Sequence, residues 1–565
     1  MIKQISGSQM ISEALHEEGV EIVFGYPGGA ALNIYDETYK QTYFKHVLVR
    51  HEQAAVHAAD GYARVSGKVG VAFVTSGPGF TNAVTGLATA YSDSIPVVLI
   101  SGQVPTFMIG TDAFQEIDAV GISRPCVKHN FLVNSVEELP RIIKEAFYIA
   151  RSGRPGPVHI DIPKNVTSRL GDFVYPKEIS IPSYKPTYKG NSKQIKKAAA
   201  AINEAKRPLL YIGGGAVASN ASEIIRKFMK KTGIPAVETL MALGVLDAKD
   251  KLNLGMAGMH GSYASNMALS ECDLLISLGA RFCDRVTGKT DEFAKHAKII
   301  HIDIDPSSIS KIINAHYPIV GDLTNVLSEL YEEVKGEPKN YAPWREILDR
   351  YQKLNPLGYT DSDKVLKPQW VVEETAKIVG PEAIIATDVG QHQMWAAQFY
   401  PFNRARQLVT SGGLGTMGYG LPAAIGAKCA KPEHLVVNFT GDGSILMNIQ
   451  ELMTAYETNV PVINIILNNN FLGMVRQWQT FFYEKRYSST DLSLQPDFVK
   501  IAEGFGGVGF VCKSKDEFKK ALKEAIKSKK SALIDVRIDR FEDVLPMVPA
   551  GAAIYNMILK SKEEK

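Results

Sequence analysis

Short runs of apolar, β-type residues recur along the 565-residue chain, each followed by a glycine-rich turn and then a helical pattern. Glu21 to Phe24 precede Gly25-Tyr-Pro-Gly-Gly29, and Val71 to Thr75 precede Ser76-Gly-Pro-Gly79. Leu209 to Ile212 precede Gly213-Gly-Gly215, and Val436 to Phe439 precede Thr440-Gly-Asp-Gly443. Strands that are apolar on both faces and alternate with helices predict parallel sheets covered by helices on each side. The first helix follows the same grammar: Met10, Ile11, Ala14 and Leu15 form one apolar stripe, and Gly19 is placed to end it. The expected fold class is therefore α/β.

Two stretches read as linkers, residues 172–192 with no helical period and residues 336–368, Pro-rich and polar at both ends. They divide the chain into 1–171, 192–335 and 368–565, three domains that are each expected to be a parallel sheet flanked by helices. The charged tail from Lys560 to Lys565 is expected to fray. The first and third parts look related. VTSGPGFTNAVTGLATAYSDSIPVVLISG can be laid on FTGDGSILMNIQELMTAYETNVPVINIILNN, with Gly77-Pro78-Gly79 falling on Gly441-Asp442-Gly443. That predicts two copies of one fold, of which only the second offers a carboxylate at this turn.

Composition excludes more than it identifies. A net charge of +3 argues against a nucleic-acid surface. Five scattered cysteines with no C-x-x-C argue against a disulfide framework and a zinc site. Glu13, Glu17 and Glu18 stand where a signal peptide needs an apolar run, and the longest apolar stretches are strand-length. A cytoplasmic protein with no membrane partner is expected.

The most informative constellation lies in the third part. Gly441-Asp442-Gly443-Ser444 follows a strand and is expected to open a helix; a second strand then leads to Asn468-Asn469. Asp442 and Asn469 are thus one β-α-β unit apart, at the carboxyl ends of neighbouring parallel strands, where α/β sheets bind ligands. A carboxylate and an amide oxygen converging there suit Mg²⁺, which takes its other ligands from phosphates and water. The glycines let backbone approach the phosphates. An Asp N-cap followed by a β-turn Asn pair is the plainer alternative.

This pattern resembles the signature of thiamine diphosphate enzymes. The resemblance implies that Asp442 and Asn469 ligate Mg²⁺ together with the backbone carbonyl of Phe471. Gly443, Ser444 and the run Val389-Gly390-Gln391-His392-Gln393 would hold the diphosphate. In that superfamily a glutamate hydrogen-bonds the cofactor's aminopyrimidine ring, and Glu52, in Val49-Arg-His-Glu-Gln-Ala-Ala55, matches it. By itself Glu52 reads as a first-turn helix residue interacting with the dipole. Because one cofactor is built by two chains in these enzymes, the resemblance implies a homodimer or a dimer of dimers.

Across all three parts the chain resembles the catalytic subunits of the acetohydroxyacid synthase (acetolactate synthase) family. The stretches that carry this include GYPGGA (25–30), RHEQAA (50–55), GQVPTFMIGTDAFQE (102–116), SGRPGPVHIDIPKNV (152–166), GMHG (258–261), GARFCDRVTG (279–288), SGGLGTMGYGLPAAIGA (411–427), GMVRQWQ (473–479) and LPMVPAG (545–551). Carried over residue by residue, Gly29 and Gln115 flank the thiazolium, and Lys164 stands near the entrance. Gly415 and Met417 match contacts to the aminopyrimidine, and Met474 would lie over the same cofactor. Arg285 and Trp478 favour 2-ketobutyrate as second substrate. Arg154, Gly213, Gly214, Gly215, His260, Arg281, Asp303 and Asp322 fall in FAD-binding segments, where Asp303 and Asp305 would bond sugar or ribityl hydroxyls. The first domain would thus bind the pyrimidine, the central one FAD, and the third the diphosphate and Mg²⁺.

The family's R-F-D-D-R reads R-F-C-D-R here, with Cys283 in the third place. The implied activity joins the two-carbon unit of pyruvate to a second pyruvate or to 2-ketobutyrate, early in branched-chain amino acid synthesis, with a small regulatory subunit as a further partner. A pyruvate oxidase or another thiamine-dependent 2-keto acid decarboxylase is the alternative, and loss of Glu52, Asp442 or Asn469 would have marked a non-catalytic relative.

Overall fold

The computed structural model describes residues 3–335 and 341–561; of the tail expected to fray from Lys560 to Lys565, residues 562–565 lie outside the described residues, and the Ser561 hydroxyl donates to Asp543 at 2.8 Å. Three six-stranded sheets carry it, and every pairing within them is parallel. A two-stranded antiparallel ribbon, β1 (Lys3–Ser6) with β8 (Leu170–Phe173), closes the first domain. Its sheet holds β2 (Ile22–Gly25), β3 (Lys45–Leu48), β4 (Gly70–Val74), β5 (Val97–Gln103), β6 (His129–Leu132) and β7 (Val158–Pro163). Strands β4, β5 and β7 are buried along their whole length, as the continuous apolar runs required.

The strand order of this sheet is β3-β2-β4-β5-β7-β6. The third domain has β15 (Ile384–Thr387), β16 (Leu408–Val409), β17 (Val436–Thr440), β18 (Ile463–Asn468), β19 (Val508–Cys512) and β20 (Ala532–Arg537) in the order β16-β15-β17-β18-β20-β19. The two windings agree strand for strand, and Gly77-Pro78-Gly79 follows β4 just as Gly441-Asp442-Gly443 follows β17. The internal repeat is thus one of topology.

The central sheet is wound differently. Its strands are β9 (Pro208–Ile212), β10 (Ala236–Glu238), β11 (Asn253–Met256), β12 (Leu274–Leu278), β13 (Lys298–Asp303) and β14 (Tyr317–Val320), ordered β11-β10-β9-β12-β13-β14. The order reverses between β9 and β12, which is where doubly wound sheets bind dinucleotides.

The segment read as a linker at 336–368 differs from that reading. It contains a helix, Ala342–Leu354, whose Trp344 and Leu348 are buried in the central core. Trp344 Nε1 also donates to the Pro208 carbonyl at 3.1 Å. Pro343 sits in the first turn, where a missing N–H costs nothing, and Pro356 lies beyond the last residue. The prolines bracket this helix; they do not forbid it. The chain end also returns to the central domain, where Val548 and Ile554 join the core.

Helix Glu52–Ser66 and helix Gly420–Ala430 pack the first domain against the third. The approach is so close that a Cβ on Gly61 would stand 2.1 Å from the Ala423 carbonyl oxygen, and one on Gly426 1.8 Å from that of Ala58. Backbone cannot swing aside as a side chain can. Gly426→Val should therefore cost toward the upper end of the ~1–3 kcal/mol typical of overpacking. Thermal unfolding should show it as a drop of several degrees, and an unchanged midpoint would contradict this packing. Among the described residues, no helix is long and apolar enough to cross a membrane.

Candidate active site

Three neighbouring strands of the third domain deliver the predicted metal and diphosphate residues at their carboxyl ends. Asp388 to Gln393 follow β15, Gly441 to Ser444 follow β17, and Asn469 follows β18. Asp442 is buried, and burial pushes its carboxyl up to about 7. Its Oδ2 accepts from Gln495 Nε2. Asn469 Nδ2 donates to Gln391 Oε1 at 2.9 Å, while its Oδ1 accepts the Phe471 N–H at 3.1 Å. Gln391 donates in turn to Gln477 Oε1 at 2.8 Å and to the Glu542 carbonyl at 3.1 Å. Its side chain thus orients Asn469.

The GDGS turn does not open an α-helix. A 3₁₀ turn, Ile445–Met447, follows it, and the α-helix begins only at Glu451. Between them Asn448 leaves helical backbone at φ −137°, and its Nδ2 donates to the Gly418 carbonyl at 2.7 Å. Helix Gln391–Phe399 does begin at the site, as does helix Gly473–Phe482. Burial lowers the imidazole of His392, in the first of these helices, to about 3, so His392 is neutral, and its buried Nε2 has no hydrogen-bond partner within the chain.

One cavity of about 1510 Å³ joins these strand ends to the central domain. All the predicted residues of the central and third domains except Asp305 line it, together with Arg154. Arg285 and Trp478 therefore face the same space as Met417 and Met474. On the central side, Gly213 and Gly215 follow β9 and lie against the turn after β12: added Cβ atoms would stand 2.3 Å from Ala280 Cα and 2.8 Å from Gly279 Cα. Only glycine lets the two turns at the switch point close up.

Arg154 Nη1 pairs with Asp305 at 3.1 Å. Burial raises Asp303 to about 6. Asp322 spends its carboxylate on capping helix Leu323–Glu333 and on the Ser219 hydroxyl. His260 donates from Nδ1 to the Pro546 carbonyl at 3.2 Å, and so is tied to the returning chain end. Cys283 precedes the short helix Asp284–Thr287 without a side-chain cap, a place an Asp would have capped.

The remaining predicted residues gather elsewhere. Gly29 follows β2, Glu52 follows β3, Gln115 follows β5 and Lys164 follows β7, all at the carboxyl edge of the first sheet. None of the four lines the cavity. Glu52 is buried at the start of its helix, and its Oε2 accepts from Asn82 Nδ2 at 3.0 Å. Gln115 holds a positive φ of 60°.

Sequence reasoning missed the carboxylates that shape the 411–420 loop. Asp388 is buried and accepts the N–H groups of Val389, Gly418 and Gly420 at 2.9, 2.9 and 3.1 Å. Asp93 accepts those of Gly412 and Gly413 at 3.0 and 2.7 Å and pairs with Arg64 at 2.8 Å. Together they pin the loop that carries Gly415 and Met417. Asp388 stands directly before the Val389–Gln393 run, a signal that was available; nothing local marks Asp93 or Gln495. Among the described residues no group of three or more His, Cys, Asp or Glu could hold a metal.

Models of known families match each domain in turn. Residues 5–122 match the thiamine pyrophosphate enzyme N-terminal TPP binding domain, 195–330 the central domain and 388–536 the C-terminal TPP binding domain. The chain is 48% identical to the acetolactate synthase large subunit of Haemophilus influenzae, with 100% of both chains covered. It is 46% identical to the acetolactate synthase isozyme 3 large subunit of Escherichia coli, again with 100% of both covered. The probable acetolactate synthase large subunit of Methanocaldococcus jannaschii is 49% identical over 98% of this chain and 95% of its own. With close to half of its residues shared from end to end and all three thiamine pyrophosphate enzyme domains in place, the chain belongs to the acetolactate synthase large subunits.

Proposed function

We propose that the chain is the catalytic subunit of a thiamine diphosphate-, Mg²⁺- and FAD-containing acetolactate synthase whose active site is completed by a second copy. It decarboxylates pyruvate and joins the two-carbon unit to pyruvate, giving 2-acetolactate, or to 2-ketobutyrate, giving 2-aceto-2-hydroxybutyrate. This is the first common step toward valine, leucine and isoleucine. The observation that carries the reading is the single cavity in which Asp442, Asn469, Arg285 and Trp478 meet the central switch point.

The residues fit the cofactors. A buried carboxylate raised to about 7 has lost its hydration, and a cation is the partner that restores the charged form. Asn469 Oδ1 and the Phe471 carbonyl, from residues that line the same cavity, would supply further hard oxygens. The unpartnered Nε2 of His392 and the N-terminus of its helix suit the diphosphate. On the central side the reversal of strand order, the closed glycine turns and Asp303 fit a dinucleotide. The overall reaction is redox-neutral, so FAD has no net redox role.

When bound, thiamine diphosphate supplies the electron sink for decarboxylation. Glu52, oriented by Asn82, holds and moves a proton at the aminopyrimidine. Arg285 pairs with the carboxylate of the second 2-keto acid, and the Trp478 face packs on its alkyl end. The Asp93 and Asp388 clamps would keep the loop that carries Met417 in place at the cofactor site.

Glu52 and Asp442 belong to separate sites within one chain, so a second copy must bring its first domain to the cavity. Exposed apolar side chains stand ready on both halves. Phe107 and Phe114 are 76% and 87% exposed beside Gln115, while Met447, Val475 and Tyr483 are 53%, 50% and 55% exposed near the cavity. The relatives' name, large subunit, goes with a smaller companion, which we place as a regulatory partner.

Incubation with pyruvate, 2-ketobutyrate and the three cofactors should yield both acetohydroxy acids. Acetaldehyde, or acetate with peroxide, as the main product would overturn the reading. Trp478→Leu should lower the preference for 2-ketobutyrate about tenfold, in line with ~1–3 kcal/mol per methylene. Product ratios from mixed substrates measure it, and an unchanged ratio would remove Trp478 from the substrate site.

A further inference from the structure

A buried carboxylate outside the cavity joins the third domain to the backbone that leads into Glu52. Glu451, the first residue of helix Glu451–Glu457, is 0% exposed. Its Oε1 and Oε2 accept the Arg50 N–H at 3.0 and 3.2 Å, and its Oε2 accepts the Thr454 hydroxyl at 2.6 Å. The His51 N–H bonds to the same carboxylate. At the far end of the helix, Glu457 pairs with the Arg50 guanidinium. Helix Glu451–Glu457 therefore clasps Arg50 from both ends.

The clasped residues are the two that precede Glu52. His51 is the N-cap of the Glu52 helix, its Nδ1 accepting the Gln53 N–H at 3.2 Å. Fixing the N–H groups of Arg50 and His51 fixes the backbone from which Glu52 projects. Burying a carboxylate is costly unless it is fully hydrogen-bonded, and all the donors that satisfy Glu451 outside its own helix come from this one segment.

We propose that Glu451 is a positioning residue for Glu52, holding the strand-end backbone so that the Glu52 carboxylate is aimed at the cofactor. This rests on the reading of Glu52 as the group that serves the aminopyrimidine. An amide at 451 would offer one acceptor oxygen to donors now shared by two, and would turn its own NH₂ toward a backbone N–H. The lost bonds would free the segment while leaving the cofactor cavity, which Glu451 does not line, unchanged.

The test compares Glu451→Gln, Glu451→Asp and Glu52→Gln. Amide hydrogen exchange of the cofactor-free chain, read over residues 49–53, should rise at least about tenfold in Glu451→Gln, as expected when a buried carboxylate anchor is removed. With the cofactor bound, proton exchange at the thiazolium C2 should slow about tenfold or more, with thiamine diphosphate affinity within a few-fold of the parent. Glu451→Asp, which keeps both oxygens, should recover part of each. If Glu451→Gln proves unstable, Thr454→Val removes one bond from the carboxylate and should show a smaller change of the same sign. Normal C2 exchange in Glu451→Gln, with Glu52→Gln slow, would overturn the proposal and leave the role of Glu52 standing. Normal C2 exchange in Glu52→Gln would instead overturn the reading beneath it.

Discussion

Glu52→Gln should lower turnover by about two to four orders of magnitude, the range that one positioned acid–base group contributes. The amide keeps the size of the side chain and a hydrogen bond with Asn82, so the fold should survive unchanged. It cannot exchange a proton with the cofactor at neutral pH. Circular dichroism and thermal unfolding should match the parent while acetolactate production collapses. Near-normal turnover would remove Glu52 from the chemistry and, with it, the assignment of the first domain's strand ends as half of an active site.

Asp442→Asn should abolish Mg²⁺-dependent cofactor binding at ordinary concentrations. Removing even an outer partner of a metal ligand costs about 10–100-fold in affinity, and loss of the one carboxylate at this site should cost more. The cofactor-free chain should tolerate the change well, because a buried, desolvated carboxylate is replaced by a neutral group of the same shape. Titration with thiamine diphosphate at several Mg²⁺ concentrations measures it. Binding that is equally tight, and still Mg²⁺-dependent, would show that the metal is held elsewhere.

Much of the fold was legible because it rests on local signals. Nearly unbroken apolar runs such as 97–100 and 463–467 suit only strands buried on both faces, and glycines fall where one strand ends and backbone must turn. Asp442 and Asn469 could be placed on neighbouring strand ends from spacing alone, because a β-α-β unit has few ways to return. The helix at Ala342–Leu354 was hidden by prolines that lie at its first turn and beyond its end. The interrupted helix after GDGS was hidden because Asn448 leaves the helix for a bond to Gly418, far away in sequence.

The supporting shell was the least legible part. Asp93, Asp388, Glu451 and Gln495 act through hydrogen bonds to other segments, and in a sequence such residues look like surface acids or turn formers. Burial distinguishes them, and burial is a tertiary property. The split of the predicted residues was likewise invisible to spacing: Asp442 lines the cavity and Glu52 does not.

That split is the centre of the account, and mixing two inactive variants tests it most directly. Glu52→Gln and Asp442→Asn chains, unfolded together and refolded, or co-expressed, form hybrid dimers. If each site takes Glu52 from one chain and Asp442 from the other, every hybrid holds one intact site. Random pairing then restores about a quarter of the parental activity from two nearly dead preparations. If both residues serve the same site from one chain, no hybrid contains an intact site, and the mixture stays as inactive as its components.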